Sequence, residues 1–339
     1  MKRSLIIFVT AACDSKCKHC FYYENIDGPQ RTTLSINDTR RLANALGPIN
    51  DLSIGGGEPV LRKDLVPLLE PILRQGRPRS VNLPTGGLHA ERTERAARGI
   101  LEVLPQTRLT ISLSMDGPPA IHDRMRGVPG AYERQIETHD RLAPLARAGV
   151  INIKLVTTLC SLNQDYLYET LECAKSDFPA ADFQHLEMMR GQPRDASLQA
   201  PDPGVLDQWR EAIAKHWEGY RKFYGGGWRN KMVRSAKLRL HDLSVDYLRG
   251  VDNMPPCIAY QSHLVISETG DIAFCELTDP IGNLADDELP AILASAEAAR
   301  RAAFIKDGCS CTHSCFTPTN LLHDRRELAR LAADTLRAF

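Results

Sequence analysis

The chain is expected to fold as an α/β protein: a partial (β/α)6 TIM-like barrel followed by a small C-terminal α+β cysteine-rich domain. Two observations predict this. From residue 4 to about 190, six short apolar runs alternate with longer amphipathic stretches, and strands alternating with helices build a parallel sheet with right-handed crossovers. In the last quarter of the 339 residues this alternation stops, and five of the ten cysteines gather there.

The apolar runs are SLIIFVT (4–10), DLSIGGG (51–57), SVNLPT (80–85), RLTISLSMD (108–116), INIKLVTTL (151–159) and DFQHLEMM (182–189). Helices are expected near 35–46, 64–75, 90–104, 131–148 and 165–176. Six such units are too few to close an eight-fold barrel, so the sheet stays open on one side. Beyond it, Val205, Leu206, Trp209, Ile213, Trp217 and Tyr220 fall near helical spacing over 205–224. The glycines at 225–227 break that helix, and a second is expected over 228–248. HLVISETGDIAFCE predicts a β-hairpin turning at Thr269-Gly270-Asp271. A helix at 287–303, a cysteine-rich loop and a last helix from 325 follow. The organisation is thus 1–204 barrel, 205–254 helical connector, 255–322 cysteine-rich domain and 323–339 terminal helix.

Composition narrows the function classes. Lys+Arg and Asp+Glu are both 42, so no overall basic surface for nucleic acid is expected. No run of 18 apolar residues is present, so no membrane span is expected. The N-terminal apolar run, Leu5 to Val9, is short for a secretory signal, and a cytoplasmic location is expected. Ten cysteines permit a disulfide framework, but they are clustered: three lie within eight residues at the start. Without an export signal, clustered cysteines point to metal.

Cys13, Cys17 and Cys20 stand at C-x3-C-x2-C directly after the first strand. Thiolates hold iron–sulfur clusters, usually four to a [4Fe–4S] cube. A triplet with no evident fourth partner leaves one iron open, as catalysis requires. Structural zinc is the alternative, with His19 too close to Cys20 to complete a tetrahedron easily. The loop also follows a strand's C-terminal end, where α/β barrels place their chemistry.

This loop resembles the hallmark of the radical S-adenosylmethionine (SAM) superfamily, with His19 at the position usually held by an aromatic residue. The second motif of that family, Gly-Gly-Glu-Pro after strand two, is matched by Gly56, Gly57, Glu58 and Pro59. The resemblance covers roughly residues 1–190 and implies that the GGEP segment meets the amino group of SAM. Thr85-Gly86-Gly87 stands where relatives often carry Thr-Asn-Gly, so Thr85 is kept as a cofactor contact without the asparagine. SLSMDG and the following His122-Asp123-x-x-Arg126-Gly127 resemble a further family segment. They imply that Ser114, or alternatively Ser112, approaches the SAM carboxylate together with Arg126. The resemblance implies reductive cleavage of SAM to methionine and a 5′-deoxyadenosyl radical, with electrons from a reductase such as flavodoxin or ferredoxin.

Strand periodicity gives an inward polar set independently. Leu109, Ile111, Leu113 and Met115 share one face, and Thr110, Ser112, Ser114 and Asp116 the other. Ile151, Ile153 and Leu155 likewise face the helices, leaving Asn152, Lys154, Val156 and Thr158 inward. An interior lysine is costly unless paired, so Lys154 is expected to meet a structural carboxylate, or SAM or substrate. Strand six offers His185, Glu187 and Arg190 with no assigned role, and no catalytic acid or base is assigned.

At the C-terminus, Cys257 and Cys275 frame C-x12-G-x4-C around the hairpin, and Cys309, Cys311 and Cys315 form C-x-C-x3-C. A cage for one metal centre needs four of the five, and a zinc knuckle is the rival. The opening spacing resembles the twitch and SPASM extensions of radical SAM enzymes, implying one auxiliary [4Fe–4S] cluster of the twitch type; C-x-C-x3-C departs from the usual ending. Cys160 and Cys173 are expected in the core. Relatives with such extensions modify ribosomal peptides or oxidise small metabolites, so the expected substrate is a small molecule or natural product, with a peptide maturase as the alternative. An iron–sulfur electron carrier or zinc-stabilised binding module is the reading from another class; it leaves the six α/β units and GGEP unexplained. Trp209, Trp217, Tyr220, Phe223, Tyr224 and Trp228 are expected to pack in the core or cap the barrel mouth.

Overall fold

The structure, a computed structural model, describes residues 2–29, 33–220 and 227–337. Six parallel strands form where the apolar runs predict them: β1 (Ser4–Phe8), β2 (Asp51–Gly55), β3 (Ser80–Thr85), β4 (Arg108–Ser114), β5 (Asn152–Leu159) and β6 (Phe183–Met188). The helices Ile36–Leu46, Leu65–Gly76, Ala90–Val103, Ala131–Arg147 and Leu167–Ser176 lie between them. The first is set by a capping box: the Ser35 hydroxyl accepts from the Asp38 amide at 3.2 Å, and the Asp38 carboxylate accepts from the Ser35 amide at 2.9 Å.

Alternation decides the faces. Leu109, Ile111, Leu113 and Met115 are each 0% exposed and join one core with Ile153, Leu155, Leu68 and Ile100. Each such side chain contributes about 1.5–3 kcal/mol by leaving water. Four features were not legible. Pro119–Arg126 is a separate helix, ended by Gly127. Another forms over Thr317–His323. The helix expected over 287–303 is two, Leu289–Leu293 and Ala296–Lys306, because the Ser295 hydroxyl caps the second by accepting from the Ala298 amide at 3.1 Å. The first connector helix begins earlier, at Pro203, where Asp202 caps it and Pro203 needs no amide partner; it is assigned to Glu218. Residues 221–226, with Phe223, Tyr224 and the first two glycines of 225–227, lie outside the described residues.

A fifth difference, in the sheet, bears on the site. The expected hairpin forms as β7 (His263–Ile266) and β8 (Asp271–Ala273), with β9 (Gly282–Asn283) beside β8. However, β7 also pairs in parallel with β1, from Ser4 opposite His263 to Ile7 opposite Ile266. The sheet is therefore a continuous nine strands in the order β6-β5-β4-β3-β2-β1-β7-β8-β9. Leu264 and Ile266 enter the main core, while Val265 packs with Ile6, Phe8 and Phe316 on the other side. Full burial of all four β7 residues follows from covering both faces.

The C-terminal segment also closes the barrel's open side. Ser314 donates to Glu187 beside the end of β6 at 2.5 Å, and Arg190 bridges Glu187 at 3.2 Å and Glu276 at 3.4 Å. The helices Pro203–Glu218 and Trp228–Leu248 flank β6, with Trp217 buried against Phe183 and its indole N–H donating to the Gln184 carbonyl at 3.0 Å. Trp228, by contrast, is 57% exposed.

Because β7 shares the barrel's core, Ile266→Ala is expected to destabilise the whole chain by about 2–5 kcal/mol in a single urea transition. Two separated transitions, with the barrel's midpoint unmoved, would contradict a shared core.

Candidate active site

The loop after β1 is wedged between two supports. On one side, the amides of Lys16 and Lys18 donate to the carbonyls of Arg126 and Met125 at 3.0 and 2.9 Å. On the other, the Gly57 and Glu58 amides donate to the Thr10 and Ala12 carbonyls at 2.7 and 2.8 Å. Gly56 has φ +118°, and a Cβ on it would collide with the Thr10 carbonyl oxygen; one on Gly57 would collide with that of Ala12. The two glycines therefore admit the cysteine loop.

Glu58 is 3% exposed and braces the neighbouring turn. Its carboxylate accepts from the Thr85 hydroxyl at 2.9 Å, the Gly86 amide at 2.8 Å and the Val60 amide at 3.4 Å, where Pro59 opens a short 3-10 turn. Burial raises its pKa despite these bonds. Thr85 in turn accepts from the Gly87 amide at 3.0 Å. Glu58 and Thr85 thus hold the second and third strand ends together.

Cys13, Cys17 and Cys20 line a cavity of about 700 Å³ inside the barrel. Gly56, Gly57, Glu58, Pro59, Thr85, Ser112, Ser114, Arg126 and Lys154 line the same cavity. Burial pushes the Cys13 thiol up to about 12 and raises that of Cys20, so holding these groups as thiolates calls for nearby positive charge. Arg126 supplies part of it. Its guanidinium lies 3.5 Å from the Cys17 sulfur and 2.6 Å from Asp116. Burial would lower its pKa, but Asp116 and Cys17 raise it. The Arg126 Nε and the His19 Nδ1 are buried with no hydrogen-bond partner in the protein.

Asp116 departs from expectation. It is fully buried rather than in the cavity wall, and it accepts from the Thr158 amide at 2.9 Å while pairing with Arg126. Burial alone would raise its pKa; Arg126, His19 and His122 outweigh that and lower it. Thr110, Ser112 and Ser114 line the cavity as alternation predicts. The Ser112 hydroxyl donates to Asn82 at 2.5 Å, whereas Ser114 has its carbonyl taken by Gln135. Asn82 and Ser53 also line the cavity; applying the same alternation to β2 and β3 finds them. Lys237 was not legible, being one cation among several on the Trp228–Leu248 helix.

The C-terminal cysteines divide. Cys257, Cys275, Cys309 and Cys311 lie outside the cavity wall and act on one another: Cys257 hydrogen-bonds Cys309, Cys275 feels the charge of Cys311 and Cys257, and Cys311 that of Cys257. Cys315 instead lines the cavity, and its strongest electrostatic neighbours are Glu276, Arg190, Glu187 and Lys154. Glu276, His313 and Cys315 place their ligand atoms within 4.8 Å of one another. The His313–Glu276 bond of 2.8 Å and the adjacent Arg190 make this an ion-pair network. Cys160 is buried against Met125, and Cys173 packs against the main core.

The architecture is that of an α/β barrel-type protein, a partial parallel barrel with three cysteines on its first loop. Residues 7–174 match the family model described as the radical SAM superfamily; this part of the chain is a radical SAM domain, and the protein belongs to that superfamily of enzymes. The family brings a [4Fe–4S] cluster and SAM. Among curated proteins, the chain is 30% identical over 171 residues to the AdoMet-dependent heme synthase of Oleidesulfovibrio alaskensis, covering 50% of this chain and 41% of that protein. It is 28% identical over 167 residues to the pre-heme d1 synthase of Dinoroseobacter shibae, covering 48% and 38%. The matches thus span less than half the length of these relatives. Among solved structures, it resembles anSMEcpe with bound AdoMet and a Cp18Cys peptide, with TM-score 0.64 and 16% identity over 100% of both chains. It also resembles Streptococcus suis SuiB bound to precursor peptide SuiA, with TM-score 0.62 and 16% identity over 96% of this chain and 74% of that one. These likenesses concern the fold. Among the described residues, no helix is long and apolar enough to cross a membrane.

Gly57→Ala is expected to displace the cysteine loop, read as severalfold faster alkylation of Cys13, Cys17 and Cys20 while far-UV circular dichroism stays native; unchanged alkylation rates would contradict the docking role. Asp116→Asn leaves Arg126 buried without its anion and is expected to cost about 3–5 kcal/mol of stability, measured by chemical denaturation.

Proposed function

We propose that Cys13, Cys17 and Cys20 hold the [4Fe–4S] cluster and that the cavity beside them receives SAM. The observation that carries this is the geometry of the first loop: three thiols open onto one cavity, with Arg126 against Cys17 and the other two barrel cysteines packed elsewhere. A zinc ion about 2.3 Å from each thiolate would hold the sulfurs within about 4.6 Å of one another. Among the described residues, the group of three or more ligands drawn to within 4.8 Å is Glu276, His313 and Cys315. Cys13, Cys17 and Cys20 form no such group, which favours a cluster over a single ion at the first loop.

The chain's own residues then divide the work. Gly56 and Gly57 bring backbone close to the cluster loop, where the cofactor's amino group is received. Glu58 and Thr85 fix that turn. Arg126, with its orphaned Nε, receives the carboxylate, and Ser114 is better placed than Ser112 to assist because Ser112 is committed to Asn82. The cluster and SAM, when bound, supply one-electron cleavage of a carbon–sulfur bond and the power to remove hydrogen from an unactivated C–H bond.

In the same reading, Cys257, Cys275, Cys309 and Cys311 form the cage of an auxiliary twitch-type cluster, and Cys315 is left as a cavity thiol. The divisions 1–204, 205–254, 255–322 and 323–339 serve as barrel, connector, auxiliary region and terminal helix, although one sheet crosses them. Electrons come from a flavodoxin- or ferredoxin-type reductase, in the cytoplasm, where thiols stay reduced. A small-molecule substrate, oxidised or joined to another group, is supported by the size of the cavity, about 700 Å³, and by relatives named for heme and pre-heme synthesis. A peptide substrate is the second reading. It is favoured by Trp228, Met232 and Val233, exposed on the helix that reaches the cavity, and by fold neighbours solved with peptides.

Anaerobically reconstituted protein is expected to bind about eight irons with two cubane clusters, or about four plus zinc if the second site is a knuckle. With dithionite and SAM it should release 5′-deoxyadenosine, and the Cys13/Cys17/Cys20 triple alanine variant should not. Cys257→Ala with Cys275→Ala should lose only part of the iron, and Cys315→Ser none. Unchanged 5′-deoxyadenosine release in the triple variant would overturn the assignment of the first loop.

A further inference from the structure

Away from the cysteine loop, the cavity has a second polar wall. Lys154 of β5 and Lys237 of the Trp228–Leu248 helix both line it. Neither has a carboxylate within 4 Å among the described residues. The two acids on this side are already engaged. Glu187 pairs with Arg190 at 3.2 Å and accepts from Ser314 at 2.5 Å and Thr158 at 3.3 Å. Glu276 pairs with His313 at 2.8 Å and Arg190 at 3.4 Å.

Lys237 finds only a neutral partner. Its ammonium lies 3.4 Å from His185 Nδ1, an atom that must carry no proton to accept from it, and 5.4 Å from the centre of the Phe183 ring. Three cations, Lys154, Lys237 and Arg190, thus face two carboxylates. Burial lowers the pKa of both lysines, that of Lys237 to about 8 with a further push from Lys154. An ammonium half-buried in a cavity wall without an anion is costly, and two that repel each other are more so.

A ligand anion would complete this wall. It is separate from the anion expected at the cysteine loop, because Arg126 stands against Cys17 whereas the electrostatic neighbours of Lys154 are Glu187 and Cys315. We propose that the substrate carries a carboxylate or phosphate group and that Lys154 and Lys237 receive it, which moves Lys154 from the cofactor to the substrate. This rests on the radical SAM reading of the cavity.

Trace acetylation of the anaerobic holoprotein by a neutral reagent, read by peptide mass spectrometry, tests it. Glutarate, inorganic phosphate, the neutral diamide of glutarate and SAM are each added in excess. Glutarate or phosphate should slow acetylation of Lys154 and Lys237 about tenfold while exposed Lys63 and Lys306 are unaffected; glutarate identifies a carboxylate, phosphate alone a phosphoryl group. Lys154→Met should weaken the protection of Lys237, and Lys237→Met that of Lys154, by a similar factor. The proposal is overturned if neither anion protects, if the diamide protects equally, or if SAM alone protects both lysines. The same wild-type preparation is assayed for 5′-deoxyadenosine release, so that failure of the radical SAM reading shows independently of the lysine result.

Discussion

The close backbone contact between the cysteine loop and Gly56-Gly57 is the constraint on which the rest of the site depends. Burial and the neighbouring Cys17 raise the cost of ionising the half-buried Cys13 and Cys20. The loop must bring the three thiols to one point, keep them beside Arg126 and still leave the cavity open. Removing two side chains at 56 and 57 lets the strand-two turn hydrogen-bond directly to the loop. Glu58 then ties the same turn to Thr85 and Gly86 of the next strand end. A short chain of contacts therefore links the cysteines to three strands of a rigid sheet, which is how a loop attains the precision that metal and radical chemistry require.

The open barrel imposes a second requirement. Six strands leave one side uncovered, and a radical intermediate needs that side shut. The C-terminal segment meets this need twice over: β7 extends the sheet past β1, and Ser314, Glu276 and Arg190 lock the cysteine-rich loop to the end of β6. Cys315 and the lysine wall belong to the same closure. The cavity is thus a joint product of the barrel and the tail, and its chemistry on the tail side is ionic where that on the loop side is thiol-based.

Most of this was legible where a pattern repeats. Strand alternation separated Leu109, Ile111, Leu113 and Met115 from Thr110, Ser112 and Ser114, because a side chain's face is fixed by its parity along the strand. The cysteine spacing, GGEP and the hairpin were legible because each is local. Pairing of β7 with β1 was not, since a parallel partner some 260 residues away leaves no local trace. Asp116 has the inward parity but lies past the end of β4, where it is claimed by Arg126 from a helix that the sequence did not reveal. Lys237 and the separation of Cys315 from the other four cysteines depend on how the tail folds across the barrel, which no spacing encodes.

The central claim is that the first cluster keeps an iron free of protein ligands. Electron paramagnetic resonance of the reduced, anaerobically reconstituted protein, recorded with and without SAM on the variant lacking Cys257 and Cys275, addresses it most directly. The account requires a [4Fe–4S]+ signal whose g values change when SAM is added. A signal indifferent to SAM, or a first site that holds zinc and gives no signal, would contradict it.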